Sequence, residues 1–355
     1  MIKRCVFCGN FPIVKTKEHI IPQWLIKLTG NPHRQAYFGK IIREDNLEEI
    51  HIPFSKFTFP SCKHCNEGFK ELEGKSKVVV TDLLKEKPLD HCDINLLLTW
   101  LDKVRIGLWL GSLYYKNPFG IEPNFYISQG AFQRDRALFI YKLKDNKSRI
   151  NFTGMEGYAF QIIPNCFTLI INNYAFLNLA SHHLLSKGLG LPYPREPEYI
   201  IGSGGLSQFE KGTEKINYPL IEKSFDSKCK EFYQAVICSE YGYRENYLKM
   251  ISSDFMKKIF INRESGIGQM FYYDNKQLIP YPKQKTLAWI PEPKLMDFKN
   301  FFKFIAIQTY EFQNDFLRKN VKTFDPKKQY KFDSDRNMAL KFNNLLIKKI
   351  RAYNR

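Results

Sequence analysis

The spacing of apolar positions predicts where regular structure lies. From about Ile94 to Tyr115, the residues Leu97, Trp100, Leu101, Val104, Leu108 and Leu113 recur near helical spacing. Phe125 to Leu143 and Tyr158 to Phe176 are rich in Ile, Phe and Tyr and read as strands, with Pro164 and Asn165 as punctuation. Asn178 to Ser186 reads as a short helix. Residues 188–206 are dense in Gly and Pro and read as a long loop. Its Gly202–Ser203–Gly204–Gly205 run lacks the Lys-Ser/Thr of a phosphate-binding loop, so a turn is the better reading. Residues 220–263 look helical, and Phe271–Tyr273 with Leu278–Tyr281 suggests a hairpin around Asp274–Asn275. Two helices close the chain. Lys294 to Asn320 carries Phe298, Phe301, Phe302, Ile305, Phe312 and Phe316, and Asp335 to Tyr353 carries Leu340, Leu345, Leu346 and Ile350. Helices and strands in this order predict an α+β fold.

The first 75 residues differ: they are rich in Cys and His and short of long apolar runs. A segment of that kind has difficulty building a core alone and often uses a metal. With 355 residues in all, this suggests two domains, residues 1–75 and 76–355. The net charge is +18, and residues 283–355 hold 17 basic against 7 acidic residues, which is +10 of that excess. A field of this sign recruits polyanions, of which nucleic acid is the commonest. Lys341, Lys348, Lys349 and Arg351 on the last helix read either as a solvated face or as a track for phosphates. The N-terminus has no apolar signal-peptide core, and Asp102, Lys103 and Arg105 interrupt the most apolar helix, which argues against a membrane span. A reducing cytoplasm is therefore the expected location, and the eight Cys call for a role other than disulfides.

Four of those Cys form two pairs, Cys5-x-x-Cys8 and Cys62-x-x-Cys65. Each pair presents two thiolates to one tetrahedral ion, and together they make a four-cysteine structural zinc site. The 53 residues between the pairs, 9–61, far exceed a simple zinc ribbon, so something is inserted between the knuckles. The insert carries Glu18-His19-Ile20-Ile21-Pro22, and Asn66 directly follows the second knuckle. With a helix starting at about Asn66, Asn66, Lys70 and Glu73 share one face.

The order Cys-x-x-Cys, Glu18-His19-Ile20-Ile21-Pro22-x-Trp24-Leu25, Cys-x-x-Cys-Asn66-x-Gly68-Phe69-x-x-Leu72-Glu73 resembles the HNH endonucleases, in particular a bacterial subgroup with a zinc-stapled module. The resemblance covers residues 1–75. It implies a ββα-metal module, followed here by a larger mixed domain with a helical C-terminus. It implies a phosphodiester hydrolase acting on DNA, with RNA not excluded, and structural Zn2+ at Cys5, Cys8, Cys62 and Cys65. His19 matches the general base, and Glu18 and Asn66 match the ligands of a catalytic Mg2+ or Mn2+. Lys70 reads as a phosphate contact or a solvated side chain, and Glu73 as a partner of the site or a helix-surface residue. A homodimer or a partner protein would be needed for double-strand cutting. The middle Asn of the family pattern has no counterpart in Phe54–Ser61, and Asn46 is the nearest. Either another group orients His19, or a backbone carbonyl does. The alternative function is a zinc-stapled nucleic-acid-binding or regulatory protein that does not cut, and apart from the motif Glu18–His19 reads as a surface pair.

Overall fold

The structure is a computed structural model. It describes residues 4–43, 46–115, 120–123, 125–129, 135–144, 147–181, 184–191, 193–194, 209–210, 229–236, 267–274, 277–282, 297–319 and 329–352.

The N-terminal part runs β1 (Lys15–His19), α1 (Gln23–Leu28), β2 (Gln35–Arg43), β3 (Asn46–Pro53), β4 (Thr58–Cys62), α2 (Lys63–Gly68) and α3 (Lys70–Leu84). β1 and β4 form an antiparallel ladder from Lys15↔Cys62 to His19↔Thr58, and β2 pairs with β3 as a separate ribbon inside the insert. Helix formation starts at Lys63, with Cys62 in extended backbone as the N-cap, three residues earlier than expected. The expected boundary at residue 75 falls within α3.

The next helix, α4 (His91–Tyr115), is the buried centre of the molecule. Its apolar residues Ile94, Leu97, Leu98, Leu101, Val104 and Leu108 are all buried, and so are its charged residues Lys103 and Arg105. Gly107 and Gly111 lie one turn apart. A Cβ at Gly107 would stand 2.6 Å from the Ile20 side chain, and one at Gly111 2.5 Å from the Phe59 ring. The absence of side chains at these two positions lets α4 press directly against β4 and the exit of β1.

The second part contains β5 (Asp135–Lys142), β6 (Ile150–Thr153), α5 (Tyr158–Ile162), β7 (Cys166–Ile171), β8 (Tyr174–Ser181) and α6 (Leu184–Gly188). It continues with the short pair β9 (Tyr193–Pro194) and β10 (Phe209–Glu210), then β11 (Cys229–Val236), β12 (Ile267–Asp274), β13 (Gln277–Pro280), α7 (Phe298–Lys319) and α8 (Gln329–Ala352). Seven strands form one antiparallel sheet in the order β13-β12-β11-β5-β8-β7-β6. Alternation along β5 sorts its side chains by face. Leu138 and Ile140 join the apolar cluster of α4, whereas Ala137, Phe139 and Tyr141 join that of Phe301, Phe304, Ile305 and Phe312 on α7. Cover on both faces explains why β7 and β8 are buried along their whole length. α8 packs on α7 through Asn344–Asn314 (3.0 Å), Asn343–Gln313 (3.1 Å) and Arg351–Glu311 (2.8 Å).

The α+β class, the α4 helix, the 271–281 hairpin and the two closing helices follow the sequence expectation. Four assignments need correction. The Phe125–Leu143 stretch begins with a 3-10 turn at Ile127–Gln129, and its strand starts at Asp135. Tyr158–Phe176 is not one strand. It is α5, then β7, then the start of β8, turning at Asn172, whose φ of 52° suits an asparagine. A short, mostly apolar stretch such as Tyr158–Ile162 fits a buried helical turn as well as a strand. Asn178–Ser181 completes β8, leaving helix only at Leu184–Gly188, and the 220–263 stretch contains β11. The rest of 220–263, and the Gly202–Gly205 run, lie outside the described residues.

Candidate metal centre and nuclease site

The four thiols meet as the spacing predicts. The sulfurs of Cys5, Cys8, Cys62 and Cys65 all lie within 4.8 Å of one another. Zinc–sulfur bonds of about 2.3 Å in a tetrahedron place sulfurs about 3.8 Å apart, and Cys8 Sγ is 3.9 Å from Cys62 Sγ. The first knuckle is anchored on β4 by Val6 N–H donating to Pro60 O (2.9 Å), and Cys62 N–H donates to Cys5 Sγ (3.2 Å). Burial opposes a thiolate at Cys5, yet the N–H groups of Cys62, Cys8 and Phe7 outweigh it and hold that thiol below its ordinary value. Cys62 is pushed up to about 12 by burial and by the neighbouring Cys5 and Cys8. Cys65 is raised for the same reasons. Four sulfurs this close cannot all ionise without a cation among them, so the quartet fits a structural zinc ion.

His19 ends β1 and is partly buried. Its Nε2 lies 3.3 Å from the carbonyl oxygen of Ser55. A carbonyl only accepts, so the proton sits on Nε2 and Nδ1 keeps its lone pair. Gln23 Nε2 stands 3.5 Å from that Nδ1, at the limit of a hydrogen bond. Burial pulls the imidazole below its ordinary value, with the Ser55 carbonyl acting the other way. The ring is therefore neutral at pH 7. A backbone carbonyl, that of Ser55, thus holds the ring.

Asn66 reaches back to the same strand. Its Nδ2 is 3.4 Å from both Thr16 Oγ1 and Lys17 O. Lys17 and His19 are two residues apart on one strand, about 7 Å. The Asn66 Oδ1 accepts no hydrogen bond among the described residues and is open to a ligand.

Glu18 points elsewhere. Alternation turns it to the buried face of β1, where its carboxylate receives Lys103 Nζ of α4 at 2.7 Å. Lys103 also donates to Glu73 Oε1, and Trp24 Nε1 donates to Glu73 Oε2 at 3.0 Å. The ammonium lies over the Phe7 ring, 5.7 Å from its centroid. Burial works against the charge on Lys103, but Glu73 and Glu18 overcome it and hold the ammonium above its ordinary value. Burial raises Glu18, with Lys103 pulling down and Glu73 pushing up. As placed, the Glu18 carboxylate is satisfied by an ammonium, so of the two expected ligands of a catalytic ion only Asn66 fits that role in this arrangement.

The remaining candidates lie apart. Lys70 is exposed at the start of α3. Lys341, Lys348 and Lys349 are exposed on α8, and Arg351 pairs with Glu311. α8 rides on α7, on the sheet face opposite α4, so these residues are not gathered with His19. Sequence reasoning missed Lys103 and Gln23. Gln23 left no signal. Lys103 did leave one, because a charge within a long apolar helix needs a buried partner. No helix among the described residues is long and apolar enough to cross a membrane. Comparison with protein-family models, curated proteins and solved structures finds no match.

Proposed function

We propose that the N-terminal part is an HNH-type endonuclease that hydrolyses phosphodiester bonds in DNA. One observation carries the reading: an imidazole with Nε2 committed to a backbone carbonyl and Nδ1 left basic, on the strand that also anchors Asn66, in a frame pinned by four sulfurs. Nδ1 of His19 takes a proton from water, the water oxygen bonds to phosphorus, and the 3′-oxygen leaves with the electron pair of its broken bond and takes up a proton from solvent. A divalent ion such as Mg2+ or Mn2+, when bound, supplies Lewis-acid polarisation of the phosphate. Lys70 and the basic face of α8 are proposed contacts to the nucleic-acid backbone. A second copy or a partner protein is the proposed route to cutting both strands.

A second reading is a zinc-stapled nucleic-acid-binding or regulatory protein without cleavage. It is favoured by the engagement of Glu18 with Lys103. Plasmid nicking in Mg2+ or Mn2+ separates the two, with labelled RNA as a parallel substrate. The native chain should nick DNA, and His19→Ala should lose about 100-fold or more in rate. Equal inertness, or equal activity, of the two proteins removes the nuclease reading.

A further inference from the structure

We infer that Lys103 is the resident cation of the candidate nuclease site: its ammonium occupies the place at which Glu18 and Glu73 would otherwise bind a divalent ion. This rests on reading β1, β4 and α2 as an HNH module. Two carboxylates from separate elements, β1 and α3, converge on one nitrogen. That nitrogen is delivered from the interior, with only 1% of the Lys103 side chain exposed. The close approach of α4 at Gly107 and Gly111 fixes the depth at which Lys103 enters. One of its carboxylate partners is itself held, since Trp24 secures the second oxygen of Glu73.

A divalent ion on Glu18 would stand within a few ångströms of this ammonium, in surroundings where like charges repel strongly. It would also have to find six or so oxygens where Lys103 already takes the best two. The ammonium and the ion therefore compete for the same carboxylates. The chain resolves the competition in favour of the tethered cation, which cannot diffuse away. A metal ion that does engage the site does so through Asn66 and water, and Glu18 serves as a counter-ion of Lys103.

The test uses Mn2+ alone as the probe, with the full zinc-loaded chain, and reads free Mn2+ by electron paramagnetic resonance. Glu18→Gln keeps an oxygen for Lys103 and should bind Mn2+ within about twofold of the native chain. Lys103→Met frees two carboxylates and should bind Mn2+ about tenfold more tightly or better. A loss of about tenfold in Glu18→Gln overturns the inference. So does the absence of any gain in a Lys103→Met protein whose circular dichroism is native. If Lys103→Met does not fold, Glu18→Gln alone decides. Failure of the nuclease reading shows separately, in the nicking rates of the native chain and His19→Ala.

Discussion

α4 carries two buried polar clusters on different faces, and they are built on opposite charge arithmetic. Toward the N-terminal part, one ammonium, Lys103, faces two carboxylates, Glu18 and Glu73. Toward the sheet, two guanidiniums face one carboxylate. Asp102 receives Arg105 at 2.9 Å and Arg136 at 2.8 Å, and the surplus charge is shared with neutral oxygens. Arg136 donates Nε and Nη2 to Gln234 Oε1 (2.9 and 2.7 Å) and Nη2 to Asn95 Oδ1 (3.1 Å). Arg105 donates to Asn178. The sheet-side cluster spreads its bonds over four elements and serves architecture. The module-side cluster leaves excess negative charge one residue from His19, and it is where chemistry is expected. A buried surplus of positive charge with neutral acceptors all round holds elements together, whereas the negative surplus around Lys103 stays balanced on a single ammonium.

Removing zinc should separate the two sides most. Small zinc modules draw on the order of 10 kcal/mol of apparent folding free energy from the ion, whereas the sheet draws on burial at both faces. Hydrogen exchange with and without a chelator should show β1, β4 and α2 losing protection while β5, β7 and β8 keep it. Uniform loss across both would erase the distinction.

The two clusters should also answer differently to losing a cation. Arg136→Met leaves Asp102 with Arg105 alone as its cation, strands the Gln234 Oε1 that accepted two of its bonds, and should cost about 4 kcal/mol. Lys103→Met should cost less, about 2 kcal/mol, because the Glu18 and Glu73 side chains keep 11% and 18% exposure and one of them can take up a proton. Denaturant midpoints of the two variants give the order directly, and the reverse order would contradict the assignment of roles.

A further effect concerns pH on the sheet side. Asp135 is fully buried, and burial pushes its carboxyl up to about 6, although it accepts from Ser181 Oγ and from Ser186 N–H at 2.8 Å. Between the ordinary value of 3.8 and about 6, the folded chain holds a proton that the unfolded chain has released. Stability from this group is therefore complete below that window and lost as pH rises through about 6, a change of about 3 kcal/mol. Unfolding midpoints from pH 4 to 7 should show this decline in the native chain and not in Asp135→Asn.

How much of this was readable from residues alone depended on distance along the chain. The sulfur quartet was readable because two C-x-x-C pairs encode their own geometry. The fit of His19 was half readable: the missing Asn pointed to a carbonyl as one solution, but only the fold could supply Ser55. The partner of Glu18 was hidden, because Lys103 lies 85 residues away and pairing across that distance is set by how α4 docks. The same three charges that argue against a membrane span, Asp102, Lys103 and Arg105, mark a helix buried along most of its length. The β7–β8 turn was hidden for a local reason, since only Asn172–Asn173 interrupts the apolar run from Leu169 to Leu177, and Asn172 tolerates the left-handed backbone that turns it.

The pairing of Lys15 with Cys62 would give an ion held by the four thiols a reach beyond its own ligands. A strand read one position out of step would carry Glu18 to water and His19 into the apolar interior. Cys62 belongs at once to the ladder and to the sulfur quartet, so filling the quartet selects which side of the ribbon each residue takes. An ion held there, about 14 Å along the strand from the imidazole, would thereby help to set which face of the ribbon that imidazole takes.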